Sequence, residues 1–207
     1  MNPRDIAVRT LTAEDIPEVV DALHESFHDY PVMRFVLAGS RDYEKELRTL
    51  VRFFVMARSL RGEPLLGIGD ADHMSGVALV SRPDRQECLP ELEPIRSTTW
   101  AALGDGARTR YEAFGDATAM FRVDAIHIHL NMIGVRRAAQ GKGVARALIE
   151  TVHRMSREDP TSTGVTLTTE DEANVPLYEH LGYRVVGHAE VVPGLETWGF
   201  FRPDSTT

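Results

Sequence analysis

The sequence predicts a single α/β (α+β) domain spanning residues 1–207, with a central, strongly twisted, mixed sheet flanked by helices. Three observations point to it. From Ala125 to Tyr183 the order is strand, helix, strand, helix, which is the order of a parallel crossover unit. The first third carries apolar residues at helical spacing after one short alternating stretch. A hydrophobic content of 43% over 207 residues is enough to bury a real core, and no internal repeat, low-complexity segment or dividing linker is visible.

Taken in order, IAVRTL (Ile6 to Leu11) alternates as a short strand. Thr12 follows as an N-cap with Asp15 in the capping-box position, and Ile16, Val19, Val20, Leu23 and Phe27 then recur on one helical face. A second helix is expected over RDYEKELRTLVRFFVMARSL, with Tyr43, Leu47, Leu50, Val51, Phe54 and Val55 as its apolar stripe. PLLGIGD and HMSGVALVSRP read as a hairpin ended by Pro83. Residues 84–123 mix proline and glycine with weak periodicity, and the expectation there is helical pieces joined by long loops. AIHIHLNMIGV is a continuous apolar strand. A glycine-containing turn leads to a helix from Val144 to Ser156, a strand GVTLTTE, a short helix NVPLYEHLG, and two further strands in YRVVGHAEVV and TWGFFR.

Composition excludes several classes. A formal charge of -8 argues against a nucleic-acid surface and suits a cationic small molecule or peptide as partner. The single cysteine, Cys88, excludes an intramolecular disulfide framework and points to a reducing compartment. MNPRDIAVRTLTAEDIPEV has scattered charges and no apolar core, so no signal peptide is expected. No run approaches the roughly 18 apolar residues of a membrane span. The expected setting is cytoplasmic, with no membrane partner.

The chemistry concentrates in RRAAQGKGVARALIE, Arg136 to Glu150. The start of a helix offers backbone N–H groups without intrahelical acceptors at the positive end of the helix dipole, which makes an anion site. Gly141 and Gly143 let a phosphate approach that backbone, and Lys142, Arg136 and Arg137 add positive charge nearby. A P-loop is excluded, because Lys142 is followed by Gly143 and the upstream glycine is missing. A dinucleotide fingerprint fails at Arg146, where its third glycine belongs.

Gln140, Gly143 and Ala145 form Q-x-x-G-x-A directly after a strand ending MIGV, and this resembles the acetyl-CoA-binding motif of the GNAT superfamily of N-acetyltransferases. The resemblance runs through HIHLNMIGVRRAAQGKGVARALIE and LTTEDEANVPLYEHLGYRVV to WGFFR; over the first third it covers only the order of elements. It implies a fourth strand splayed from the fifth, with the acyl-pantetheine arm of acetyl-CoA in the gap. The backbone of Ile133, Gly134 and Val135 would pair with the pantetheine amides. The turn from Gln140 through Gly141, Lys142, Gly143 and Val144 to Ala145 would hold the pyrophosphate, and Asn174 would contact the co-substrate. The family often has proline two residues after the strand valine, where this chain has Arg137.

The resemblance also implies the catalytic groups. The tyrosine matching Tyr178 sits near the thioester sulfur, and a phenol that stays protonated at neutral pH can protonate the leaving thiolate. Histone-modifying members carry a glutamate at the position of His129, whose imidazole is the preferred general base, with Glu170 in reserve. Many small-molecule members have a glutamate nearer Thr168, which this chain lacks. By alternation His127, His129, Asn131 and Ile133 share one strand face. A backbone N–H on that strand, that of Ile133, is the expected oxyanion donor.

No metal is expected, since His127 and His129 are not followed by ligands at metal spacing. Cys88, between Glu87 and Glu91, is in surroundings that disfavour a thiolate, so no covalent acyl-enzyme is expected. Phe27 and Asp29, within HESFHDYPVMRFVL, offer an aromatic wall and a carboxylate for an amine. The expected partner is a small-molecule or peptide amine, with a homodimer as the assembly to test. Two alternatives stay open: a CoA-binding module without transfer, and a nucleotide-binding domain whose GKG turn holds a different phosphate.

Overall fold

Leu65 and Leu66, Val77 and Ala78, and Leu79 and Val80 are neighbours in sequence that feed different hydrophobic clusters. That is the alternation of strands buried on both faces. The computed structural model describes residues 7–70, 72–83 and 89–204. Its strands are β1 (Arg9–Thr10), β2 (Leu65–Gly69), β3 (Met74–Ser81), β4 (Ile128–Val135), β5 (Gly164–Thr169), β6 (Arg184–Val192) and β7 (Leu195–Pro203). They form one sheet in the order β1-β2-β3-β4-β5-β7-β6, parallel between β4 and β5 and antiparallel elsewhere.

Helices α1 (Ile16–Phe27), α2 (Pro31–Val36) and α3 (Tyr43–Leu60) cover one face with Leu65, Val77, Leu79 and Met132. On the other face α6 (Val144–Glu158) buries Leu148, Ile149 and Val152 against Ala78, Ile128, Val165 and Phe200. α4 (Leu92–Leu103) and α5 (Asp105–Thr118) extend the first layer, and α7 (Val175–His180) follows β5. α1 approaches β4 so closely that a Cβ on Gly134 would lie 2.9 Å from Ser26 Oγ.

The expected mixed sheet, hairpin and crossover unit are present. Thr12 and Asp15 open a short 3-10 turn, where the Asp15 carboxylate accepts from the Thr12 N–H at 2.8 Å and pairs with Arg9 at 2.6 Å. Three details differ. A separate helix, α2, begins with Pro31 at its first position, where the missing N–H costs nothing. The region expected to hold long loops contains two helices joined through Gly104 alone, at φ 83°. Packing overrides the weak periodicity there, since Trp100 meets Phe53 at 6.0 Å and Tyr111 at 5.1 Å between ring centroids. The third difference is a β-bulge: Leu79 pairs with Met132 but Val80 pairs with Leu130, which leaves Asn131 as the extra residue. Leu130 therefore joins the α6-side cluster and Met132 the α1-side cluster, and Ile133 packs on the face opposite to the one alternation assigns it. Ile6 and Cys88 lie outside the described residues. Among the described residues no helix is long and apolar enough to cross a membrane.

Candidate active site

The parallel ladder between β4 and β5 is short. Ile128, His129 and Leu130 pair with Val165, Thr166 and Leu167, and then the strands part. β4 continues to Val135 and β5 to Thr169, so from Asn131 onward the β5-side edge of β4 has no ladder partner. The chain leaves β4 through a 3-10 turn at Arg137–Ala139 and reaches α6 through Gly141 at φ 72° and Gly143 at φ 85°, the latter being the N-cap. Both are left-handed conformations that favour glycine. The first bond of the α6 ladder runs from the Ala147 N–H to the Gly143 carbonyl at 3.0 Å. The N–H groups of Val144, Ala145 and Arg146 therefore stand at the open end of the helix.

The turn is braced from behind. Arg136 donates to Glu25 at 2.7 Å, to Glu18 at 3.2 Å and to the Met74 carbonyl at 2.8 Å. Arg137 gives its backbone N–H to Glu25 at 2.9 Å, while its exposed guanidinium meets Asp29 at 3.2 Å. Gln140 reaches back to the Val135 carbonyl at 3.3 Å, and Lys142 is exposed. Arg136 is thus a strut, whereas Arg137 and Lys142 are the side-chain charges at the turn's surface.

The gap opens into a cavity of about 740 Å³ whose lining includes Phe27, His129, Ile133, Glu170, Asn174 and Tyr178. Glu170 is buried at the end of β5, and its Oε1 accepts from Thr197 Oγ1 at 2.8 Å. Burial pushes its carboxyl up to about 7, against the opposing pull of hydrogen bonds from Thr197, Tyr30 and Thr168. Tyr30 links the elements: its hydroxyl accepts the Glu170 N–H at 3.0 Å and bonds Thr169 Oγ1 at 2.9 Å, which in turn accepts from Asn174 Nδ2 at 3.2 Å. Burial drives the Tyr30 phenol upward, and the Glu170 charge adds to it. Tyr178 is buried between Phe200 and Tyr183, with centroids at 5.5 and 5.8 Å, and burial together with the Glu170 charge pushes its phenol up to about 12. It is therefore a held proton donor at any neutral pH.

His129 lines the same cavity two residues before the bulge, with its Nδ1 2.9 Å from Thr166 Oγ1. Asp29 is outside the lining: it is exposed and engaged by Arg34 at 2.6 Å, His28 at 3.0 Å and Arg137 at 3.2 Å, and Arg34 first, then His28, holds its carboxyl down at about 2. Asp29 therefore counters Arg137 beside the turn, and the aromatic wall it was expected to accompany is formed by Phe27 and Tyr30 without it. Thr197, which holds the Glu170 side chain, carries no sequence signal because β7 reaches β5 only through the non-sequential strand order, and Thr169 carries none because its partner Tyr30 lies 139 residues away. Among the described residues no group of three or more His, Cys, Asp or Glu could hold a metal ion.

The class of protein follows from where the sheet opens, since a gap between two parallel strands that leads to a glycine turn at a helix start is the architecture of the N-acetyltransferase fold. Residues 109–198 match the family model described as acetyltransferase (GNAT) domain, and over that stretch the chain is a GNAT N-acetyltransferase. It is 25% identical over 191 residues to an uncharacterized N-acetyltransferase of Schizosaccharomyces pombe, covering 86% of this chain and 74% of the relative. A crystal structure from Corynebacterium glutamicum described as histone acetyltransferase HPA2 and related acetyltransferase superposes with a TM-score of 0.68 at 23% identity, over 98% of both chains. The C-terminal condensation domain of Ebony, in complex with beta-alanyl-dopamine, gives 0.66 at 12% identity over 96% of this chain and 99% of that one. At these identities the two structures speak to the fold.

Proposed function

We propose that the protein transfers an acetyl group from acetyl-CoA to a primary amine of a small molecule or peptide, directly and in a ternary complex. The observation that carries this reading is the parting of β4 and β5 after Leu130 and Leu167 into a cavity that holds a buried carboxylate and a buried phenol. The residues present suit acetyl-CoA: the open edge of β4 at Ile133, Gly134 and Val135 matches amides of an extended arm, and the turn from Gln140 to Ala145 matches a diphosphate. Asn174, the N-cap of α7 and part of the cavity lining, would contact that arm. When bound, the co-substrate supplies an activated acyl carbon and a thiolate leaving group.

Glu170 takes a proton from the arriving ammonium, so that the amine lone pair can form the new C–N bond. Its carboxyl at about 7 is a base matched to neutral pH. Tyr178 gives its proton to sulfur as the C–S bond breaks and the electron pair departs with the thiolate, and the second proton shed by the newly acylated nitrogen restores the phenol. The Ile133 N–H stabilises the carbonyl oxygen as negative charge develops on it. Glu170 ranks ahead of His129 because it lies where the strands have parted, whereas His129 lies within the paired stretch.

The test is the pH dependence of kcat/KM. The wild type should rise through about pH 7, and Glu170→Gln should lose that rise with a drop on the order of 10²-fold, while His129→Gln should keep it. The opposite pattern would hand the base role to His129. Saturable acetyl-CoA binding without turnover on any amine would favour a CoA-binding module.

A further inference from the structure

The acceptor side of the cavity has a composition that narrows the amine. Away from β4 and β5 its wall includes Phe27, Met33, Phe54, Tyr111, Phe114 and Phe121, from α1, α2, α3, α5 and the segment that follows α5. Among the described residues that line the cavity, Glu170 is the one carboxylate, whereas Arg58 and Arg82 contribute guanidinium groups. Arg58 is held in place by donating from Nε to Asn131 Oδ1 at 3.0 Å, an oxygen that also accepts from Ser81 at 2.8 Å. One ammonium therefore finds one counter-charge, and a second positive charge on the same molecule meets guanidinium instead. A bound peptide would also need partners for its own backbone N–H and C=O groups, and aromatic carbon provides none.

Phe121 bounds this chamber through an unusual seat. Gly187 on β6 and Gly199 on β7 are cross-strand partners. A Cβ on Gly187 would come within 2.1 Å of the Phe121 ring, and one on Gly199 within 2.6 Å. The ring thus lies against strand backbone in a notch that only a pair of glycines leaves. Its own N–H donates to the Thr118 carbonyl at 3.0 Å, so its position is set jointly by the end of α5 and by the notch.

We infer that the acceptor is a monoamine on an apolar, aromatic-sized body, and that Phe121 in the Gly187–Gly199 notch limits how large that body can be. This rests on the transferase reading above. The test uses the full chain with acetyl-CoA, following thiol release with phenethylamine, tryptamine, spermidine and a lysine-rich peptide, with acetyl-CoA affinity measured in parallel by calorimetry. Phenethylamine should exceed spermidine and the peptide in kcat/KM by at least about tenfold. Phe121→Ala should shift the tryptamine-to-phenethylamine ratio several-fold toward tryptamine at unchanged acetyl-CoA affinity, and Gly199→Ala, whose methyl displaces the ring, should move the same ratio. Spermidine or peptide used as well as phenethylamine, in a protein that binds acetyl-CoA, overturns the substrate class. An equal loss for both aromatic amines in Phe121→Ala overturns the size limit, because a merely structural role would produce it. Absence of acetyl-CoA binding overturns the transferase reading and this inference with it.

Discussion

The two walls of the cavity are built by different physics. β4, the turn and α6 are placed by backbone: a ladder that ends at Leu130, two glycines at positive φ, and a helix start with open N–H groups. The facing wall of α2, α3 and α5 is placed by side chains, through the Phe53–Trp100–Tyr111 cluster with α4 behind it and through Arg110, which donates to the Val36 carbonyl at 3.0 Å and the Ala38 carbonyl at 2.7 Å. A backbone wall suits a ligand recognised by its amides and diphosphate. A side-chain wall can be re-cut by substitution without disturbing the other. Substitutions on the two sides should therefore separate co-substrate affinity from amine KM.

The largest expected effect lies on the backbone side. At Gly143, with φ 85°, valine faces a left-handed conformation costing about 1–2 kcal/mol or more, and its side chain crowds the helix start. Gly143→Val should weaken acetyl-CoA binding by at least roughly 100-fold by calorimetry, with the far-UV spectrum retained. Unchanged affinity would remove the diphosphate from this turn. Tyr178→Phe sits where the walls meet and should lower kcat by about 10- to 100-fold. The ring still packs on Phe200, so acetyl-CoA affinity should hold. Full activity in that variant would dismiss Tyr178 as the acid.

The same contrast explains what could be read from the chain. The β4–α6–β5 unit is local, its glycines sit where special dihedrals are needed, and its motif can be read in a single run from His127 to Glu150. Tyr178 and Glu170 follow within that run's extension. The facing wall is non-local: Tyr30 reaches Thr169 across 139 residues and Arg110 reaches Val36 across 74. Periodicity cannot report such pairs. The bulge at Asn131 escaped for a related reason, since one extra residue in an unbroken apolar run leaves composition unchanged while moving Ile133 to the other face. Asp29 carried the right chemistry but stands among cations outside the cavity.

Stability offers a third handle, because Glu170 is tied to β7 through Thr197 and to the start of α2 through Tyr30. Its carboxyl titrates at about 7 when folded, against 4.5 when unfolded. Below the unfolded value both states are protonated and there is no penalty. Between these values the unfolded chain releases the proton first, so stability is lost as pH rises, and the loss is complete above about 7. Glu170→Gln removes that loss. It should match the wild type near pH 4.5 and exceed it above pH 7 by on the order of 2 kcal/mol, seen as a rise of several degrees in Tm. A difference independent of pH would show that the carboxyl is not strained by burial.

The smallest effect tests the side-chain wall alone. Arg110→Ala removes two bonds from a guanidinium to the carbonyls at the end of α2, one half-buried and one exposed, and should cost about 1 kcal/mol. Because α5 carries Tyr111 and Phe114 into the cavity, loosening it should raise the amine KM several-fold. The β4 edge and the glycine turn make no contact with Arg110 through either bond, so acetyl-CoA affinity should stay as it is in the wild type. If amine KM and acetyl-CoA affinity weakened together, the two walls would be mechanically one. The separation between a backbone-built co-substrate site and a side-chain-built acceptor site would then have to be given up.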